Sequence, residues 1–247
     1  MFMKDNFSGH ASEYEKFCPT YPENFYVWLI SQLKTRKVAW DCGTGNGQVA
    51  SILSNYFERV EASDISEQQM AQAPWKPNVY YTKCPAEKSG FLDHTFDLIT
   101  VAQAVHWFDF DPFFKEVNRT LKPNGVIALI GYGLMDVSGL DQEIKYLYAD
   151  LLADFWDPER KYIEEAYKSI PFQFEELATP QFSIEERWSL DDLLGYLNTW
   201  SAVKHYIKQN GTNPVDLIEE GLRNKWGAEK MKPVNFPLIL RVGINKQ

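Results

Sequence analysis

Val38-Ala39-Trp40-Asp41-Cys42-Gly43-Thr44-Gly45-Asn46-Gly47 joins a short apolar run to a turn with glycine at every second position. The run reads as a strand that ends on an acid, Asp41. Glycines lack Cβ, so Gly43, Gly45 and Gly47 let the backbone turn sharply and come close to a ligand. Beyond them Val49, Ile52, Leu53, Tyr56 and Phe57 recur at helical spacing. The helix predicted over Val49 to Phe57 points its first N–H groups back at the turn. Two readings of this connection stand: a cradle for a nucleotide-type cofactor, or an ordinary tight strand-to-helix turn.

Outward from the turn, apolar runs alternate with amphipathic segments. A second strand is predicted near Arg59 to Ser63, ending at Asp64, with Ser66 as N-cap of a short helix that Pro74 stops. Asn78 to Thr82 is rich in Val and Tyr. Phe96 to Ala102, apolar apart from Asp97 and Thr100, suits a strand covered on both faces. A helix over about Asp111 to Leu121, a Pro123-Asn124-Gly125 turn and a strand over Val126 to Ile130 follow. This alternation predicts an α/β fold, a doubly wound and mainly parallel sheet. Such sheets bind ligands beyond the carboxyl ends of their strands. The later half reads as a mostly helical stretch from Leu140 to Ile170, a strand over Phe182 to Trp188, a helix start at Ser189 and a final strand over Val234 to Val242.

Size and composition narrow the classes. The chain has 247 residues, 45% hydrophobic and 24% charged, as expected of one large globular domain. Aromatics reach 15%, enough to fill a core and still line a pocket. A formal net charge of -9 with no Lys/Arg cluster disfavours nucleic acid as a partner, because phosphate neutralisation dominates such binding. Cys18, Cys42 and Cys84 are scattered and form no CxxC pair, so neither a disulfide framework nor a metal site is expected. Met1 to Ala11 is polar, unlike a secretory leader, and no apolar run approaches a membrane span. A cytoplasmic protein, without a membrane partner, is expected.

Two carboxylates sharpen the reading of the turn. Dinucleotide folds place GxGxxG here to admit a pyrophosphate on a helix N-terminus. This chain has GxGxG with Asp41 at its mouth. A carboxylate there repels pyrophosphate and suits an ammonium group. Asp64, at the end of the second strand, is placed to accept from both hydroxyls of a ribose. A ligand with an amino-acid end, a ribose and no diphosphate is S-adenosylmethionine. An NAD-dependent oxidoreductase is the poorer reading.

The segment from Val38 to Gly47 resembles the glycine motif of class I methyltransferases, and Asp64-Ile65-Ser66 with Met70 looks like their second motif. Ala86-Glu87 resembles their adenine-side motif. Asp97 to Phe108, with Gln103-Ala104-Val105-His106-Trp107, is similar to the trans-aconitate methyltransferase-like group of small-molecule enzymes (methyltransferase type 11). Leu121-Lys122-Pro123-Asn124-Gly125 is similar to the turn before their fifth strand. The resemblance runs from about Phe7 to Tyr132 and more loosely through Trp188-Ser189-Leu190 and Thr199-Trp200-Ser201. In one respect the chain departs: Cys18 stands before Pro19-Thr20-Tyr21-Pro22, where the group tends to have Arg.

The resemblance implies a Rossmann-like seven-stranded sheet in a single domain over 1–247. Within it, 1–35 would be an N-terminal lid, 36–133 the cofactor-binding core, 134–233 a helical cap with a late strand, and 234–247 the final strand. It implies backbone contacts to the methionine part from Gly43, Thr44 and Gly45, and ribose hydroxyls on Asp64 with Ile65 against adenine. Ala86 and Glu87 would lie by the adenine amino edge, and Ala102 and Gln103 under the sulfonium. Tyr14 and Tyr21 would close over the cofactor. Plainer roles remain open: Ile65 and Met70 in the core, Glu87 on a solvated face, Tyr14 and Tyr21 as helix anchors.

Methyl transfer from a sulfonium asks the protein mainly to align an acceptor and exclude water. His106, just past the fourth strand, is the candidate base or hydrogen-bond partner, or else a structural histidine beside Trp107. Trp107 either walls the acceptor pocket or fills the seam under the cap. Trp200, Lys204, His205 and Arg241 are further acceptor candidates. The expected activity is methylation of a small molecule, foremost the oxygen of a carboxylic acid. N- or C-methylation of another metabolite, and a non-catalytic S-adenosylmethionine-binding module, are the alternatives. A monomer or weak dimer is expected.

Overall fold

The computed structural model describes residues 19–246. Val38–Cys42 forms β1, in the middle of the sheet. It pairs in parallel with β2 (Arg59–Asp64) on one side and β4 (Phe96–Ala102) on the other. β3 (Val79–Lys83) continues beyond β2, and β5 (Leu121–Tyr132) beyond β4, again in parallel. The chain therefore winds one way from β1 and, through β4, the other way. That reversal opens a crevice at the carboxyl ends of β1 and β4, where the glycine turn lies.

Alternation along the strands sorts side chains into two layers. Ala39, Leu98, Val126 and Ala128 join one core, with Phe25 and Leu29 from the helix Glu23–Ser31. Trp40, Ile99, Ile127 and Leu129 join the other, with Phe113 and Val117 from the helix Phe110–Thr120. Trp40 is fully buried, and its indole N–H donates to Ser63 Oγ at 2.8 Å, so the large ring carries no unmet donor inside.

The seven expected strands are present, and two short strands that were not expected, β6 (Asp136–Val137) and β7 (Glu175–Glu176), join them. β9 (Lys232–Ile244) runs antiparallel to β5. β6 prolongs β5 along one edge of β9, while β7 and β8 (Ser183–Trp188) share its other edge. The pairing on β9 shifts at Pro237, between β5 and β6: Tyr132 faces Leu238 but Asp136 faces Asn235, a slip of one residue. Proline has no N–H to give a ladder.

Pro123-Asn124-Gly125 lies inside β5 and does not precede it. Asn124 has φ 61°, the register shifts here, and the N–H groups of Asn124 and Asn245 bond to the carbonyls of Asn245 and Gly125 respectively. Those bonds let the strand start at Leu121. Asp97 clamps the same region. Its carboxylate accepts from Thr35 Oγ1, the backbone N–H of Lys37 and Val38, and Lys122 Nζ. Burial pushes its pKa up, but these bonds outweigh that and hold it below the ordinary value.

The helical stretch predicted from Leu140 to Ile170 is fragmented. An α-turn over Asp141–Lys145 passes into a π-turn over Tyr146–Leu151 and a 3-10 turn over Ala153–Phe155. Helix resumes only at Arg160–Glu164. Pro158 explains the gap, since it cannot donate within a helix and disfavours helical backbone before it. Ser189 does start a helix, Leu190–Asn198, through a reciprocal capping box with Asp192. Among the described residues no helix is long and apolar enough to cross a membrane.

Candidate active site

The reversal of the sheet opens into a cleft of about 720 Å³. The glycine turn forms its floor. Gly43 and Thr44 donate backbone N–H bonds to Ser63 O at 2.8 and 2.9 Å, which pins the turn to the end of β2. Gly43 has φ 70°, and a Cβ there would meet Ala104 Cβ at 2.6 Å. Only glycine fits. Gly45, at φ 56°, donates its N–H to Asp64 Oδ2 at 2.9 Å, and Ser66 N–H donates to Oδ1 at 2.8 Å. Asp64 thus fixes two loops, and an ionised carboxylate still has about two lone-pair directions to offer the cleft.

Asp41 lies deeper. It is 1% exposed and accepts from Thr44 Oγ1 at 2.6 Å, Thr100 Oγ1 at 2.8 Å and Ala50 N–H at 3.1 Å. Burial raises its pKa, these three bonds lower it again in part and Asp64 adds a small upward push, which together leave it at about 6. Its first task is to buckle the turn. A cation in the cleft would relieve the cost of ionising it.

Of the residues singled out for the cofactor, Asp41, Gly43, Thr44, Gly45, Asp64, Ile65, Ala86, Glu87, Ala102, Gln103 and Tyr21 line this cleft. Gly47 and Met70 do not. Gly47 instead caps the helix Gln48–Leu53 at φ 78°, packed so that a Cβ would meet Tyr81 Oη at 2.5 Å. Gln69, one residue earlier, takes the lining position considered for Met70. Tyr14 lies outside the described residues. Tyr21 is both lining and anchor, with its ring 6.2 Å from Phe25 and 6.4 Å from Tyr132. Glu87 accepts from the N–H of Asp109 at 3.0 Å and so ties the loop after β3 to the segment after β4.

The charge of the cleft is one-sided. Asp41, Asp64, Glu87, Asp109 and Glu159 line it, and no Lys or Arg does among the described residues. Such walls repel a diphosphate and attract a cation.

A second pocket of about 110 Å³ opens from the first, sharing Gln103, His106, Trp107 and Tyr132 with it. Its other walls come from the cap: Trp156, Asp157, Arg160, Ile163, Tyr196, Thr199, Trp200 and Ser201. His106 is 6% exposed at the junction, its Nδ1 without a hydrogen-bond partner among the described residues. Burial, aided by the charge of Arg160, lowers its pKa to about 3. The imidazole is neutral at pH 7 and a feeble base, which favours a hydrogen-bonding or wall role over proton abstraction. Trp107 walls both pockets.

Of the cap candidates only Trp200 reaches a pocket. His205 Nδ1 bonds to Phe155 O at 2.9 Å. Arg241 donates to the carbonyls of Tyr167 and Ile170 and pairs with Glu176, so it staples the cap to β9. Trp156, Asp157, Arg160 and Tyr196 carry no motif, and sequence reading passed over them. Their only signal was the aromatic surplus in the cap.

Comparison with known proteins agrees with this geometry. A family described as a methyltransferase domain matches residues 40–129, from β1 through most of β5. A candidate methyltransferase of Dictyostelium discoideum is 34% identical over 245 residues, covering 96% of this chain and 93% of its own. The chain belongs to the class I methyltransferases. An uncharacterized methyltransferase of Schizosaccharomyces pombe is 27% identical over 238 residues, spanning 94% of this methyltransferase and 93% of the relative. The solved structure of a candidate type II methyltransferase from Anaeromyxobacter dehalogenans superposes with a TM-score of 0.87 at 42% identity, covering 92% of this chain and 98% of that one. The methyltransferase uses S-adenosylmethionine as cofactor. The cleft fits that molecule: its walls are anionic, which suits a sulfonium and an ammonium group.

Proposed function

We propose that this methyltransferase esterifies a carboxylate oxygen of a small organic acid, with the acceptor entering through the pocket under the cap. The observation that carries the reading is His106. An imidazole stands where a base would be needed, yet burial keeps it neutral and takes away its proton affinity. A carboxylate is already ionised near neutral pH and needs no base. S-adenosylmethionine, when bound, supplies the methyl group as an electrophilic carbon on a sulfonium.

The chain's own residues do the rest. Asp64 holds the ribose hydroxyls while keeping the loops of Gly45 and Ser66 in place. Asp41, Gly43, Thr44 and Gly45 receive the amino-acid end. Ile65, Ala86 and Glu87 flank the adenine, and Ala102 and Gln103 lie below the reacting centre. Gln103 is fixed there by its N–H to Ile130 O at 2.8 Å and its side-chain amide to Tyr132 O at 3.3 Å. Trp107 and the cap aromatics exclude water from the junction. In this reading the partner is a small molecule; the net charge of -9 supports that over nucleic acid.

The test is incubation with methyl-labelled S-adenosylmethionine and a library of small acids, followed by mild alkali. Esters hydrolyse and release labelled methanol. Label that survives alkali marks methylation at an atom other than a carboxylate oxygen and overturns the ester reading.

A further inference from the structure

Arg160 is the one Lys or Arg among the described residues that line either pocket. It opens the helix Arg160–Glu164, and its backbone N–H bonds to Asp157 O at 2.9 Å. Its Nε donates to Tyr148 Oη at 2.9 Å, and that hydroxyl donates to Glu164 Oε1 at 2.5 Å. The guanidinium carbon lies 4.8 Å from the Trp156 ring centroid and 5.2 Å from that of Tyr148. Trp156 in turn packs at 5.5 Å on Trp200. One N–H is therefore spent on orientation and two rings hold the plane. Among the described residues, no carboxylate lies within 4.0 Å of it, although eleven other such ion pairs occur.

A guanidinium has five N–H donors in a rigid fork matched to an oxyanion. Fixed by one of them in a pocket, it presents the remaining donors to a ligand. An acid acceptor also meets a difficulty in this protein: five carboxylates line the cleft beside which it must react. A fixed cation lining the acceptor pocket offsets that repulsion.

We propose that Arg160 determines acceptor specificity by binding an anionic group of the acceptor other than the one that is methylated. The inference rests on the reading that an acid is the acceptor. Its chemical reason is division of labour. An arginine gripping the reacting oxygen would withdraw the electron density needed for attack, whereas one gripping a second group orients the molecule at no such cost. The reacting carboxylate sits at the junction by His106 and Trp107, and the second anion sits under Trp156 and Trp200. The attacking oxygen gains the C–O bond as the methyl carbon leaves sulfur with its bonding pair on sulfur, and no proton moves. The product keeps the anion on Arg160 and loses the charge at the ester. Asp157, 9% exposed in the same lining, opposes the anion and so limits its affinity.

The experiment measures binding to the S-adenosylhomocysteine complex by calorimetry. The probes are straight-chain dicarboxylates of four to eight carbons and monocarboxylates of equal length. At least one diacid is expected to bind about tenfold or more tightly than its matched monoacid, the scale of a charge-assisted contact. Arg160→Gln should abolish that preference and leave affinity for S-adenosylhomocysteine unchanged. Arg160→Lys, which keeps the charge without the fork, should retain part of it, and Asp157→Asn should strengthen diacid binding. Equal binding of diacids and monoacids to the wild type, or a preference that survives in Arg160→Gln, overturns the proposal. The two readings fail separately: diacid preference without an alkali-labile product sinks esterification alone, and esterified monoacids without diacid preference sink the role of Arg160 alone.

Discussion

Replacing Asp64 with Asn tests the cofactor site with a nearly isosteric change. The carboxylate accepts from Gly45 N–H at 2.9 Å and Ser66 N–H at 2.8 Å, one on each oxygen. An amide retains one acceptor oxygen and turns the other into a donor, which then faces a backbone N–H. One loop bond is lost and one ribose hydroxyl loses its acceptor. A hydrogen bond to a charged group contributes about 1.5–3 kcal/mol. At about 1.4 kcal/mol per factor of ten, losing the ribose contact alone weakens binding by roughly 10- to 100-fold. The assay is calorimetric titration with S-adenosylhomocysteine, alongside thermal unfolding of the ligand-free protein to register the lost loop bond separately. Asp64→Ala, without any acceptor, should bind more weakly still. Affinity within about twofold of wild type in Asp64→Asn would show that the ribose lies elsewhere and refute the reasoning.

Gly43→Ala combines a backbone at φ 70° with a Cβ 2.6 Å from Ala104 Cβ. Strain and overpacking of about 1–3 kcal/mol should lower Tm by several degrees and abolish cofactor binding; a variant that melts and binds like wild type contradicts the turn geometry. Asp41 has a folded pKa raised by burial to about 6. By linkage its neutral form favours the ligand-free fold below the unfolded pKa near 4, and this contribution is lost as pH rises through 6. The ammonium group of a bound ligand beside Asp41 reverses the preference, so affinity for S-adenosylhomocysteine should fall by up to about tenfold per pH unit below 6; a dissociation constant equal at pH 5 and pH 7 argues against it. His106 is held near pKa 3, so kcat/KM should show no imidazole inflection between pH 5 and 8. An inflection that disappears in His106→Gln would restore the histidine as a base.

The sheet and its glycine turn were legible because local chemistry dictates them. β4 occupies Phe96–Ala102, the apolar run read from the sequence, and Ser66 and Ser189 each cap a helix as their spacing suggests. Where distant partners decide, the sequence was silent. Asn124 and Gly125 look like a turn until Asn245 closes a ladder across them. The cap from Leu140 to Ile170 carries helical periodicity, but Pro158 and the packing of Trp156 on Tyr148 and Trp200 divide it. Most of the residues singled out in three short motifs line the larger cleft. The smaller pocket was not legible, because Arg160 and Trp156 share a lining with His106 only through the folding of the later half onto the sheet.

A crystal structure with S-adenosylhomocysteine bound tests the central claim most directly. The account predicts the nucleoside over the turn of residues 43–45, both ribose hydroxyls on the Asp64 carboxylate, and the homocysteine sulfur facing the pocket bounded by His106 and Trp107. Density for the nucleoside at any other surface, or a ribose that makes no contact with Asp64, would contradict it.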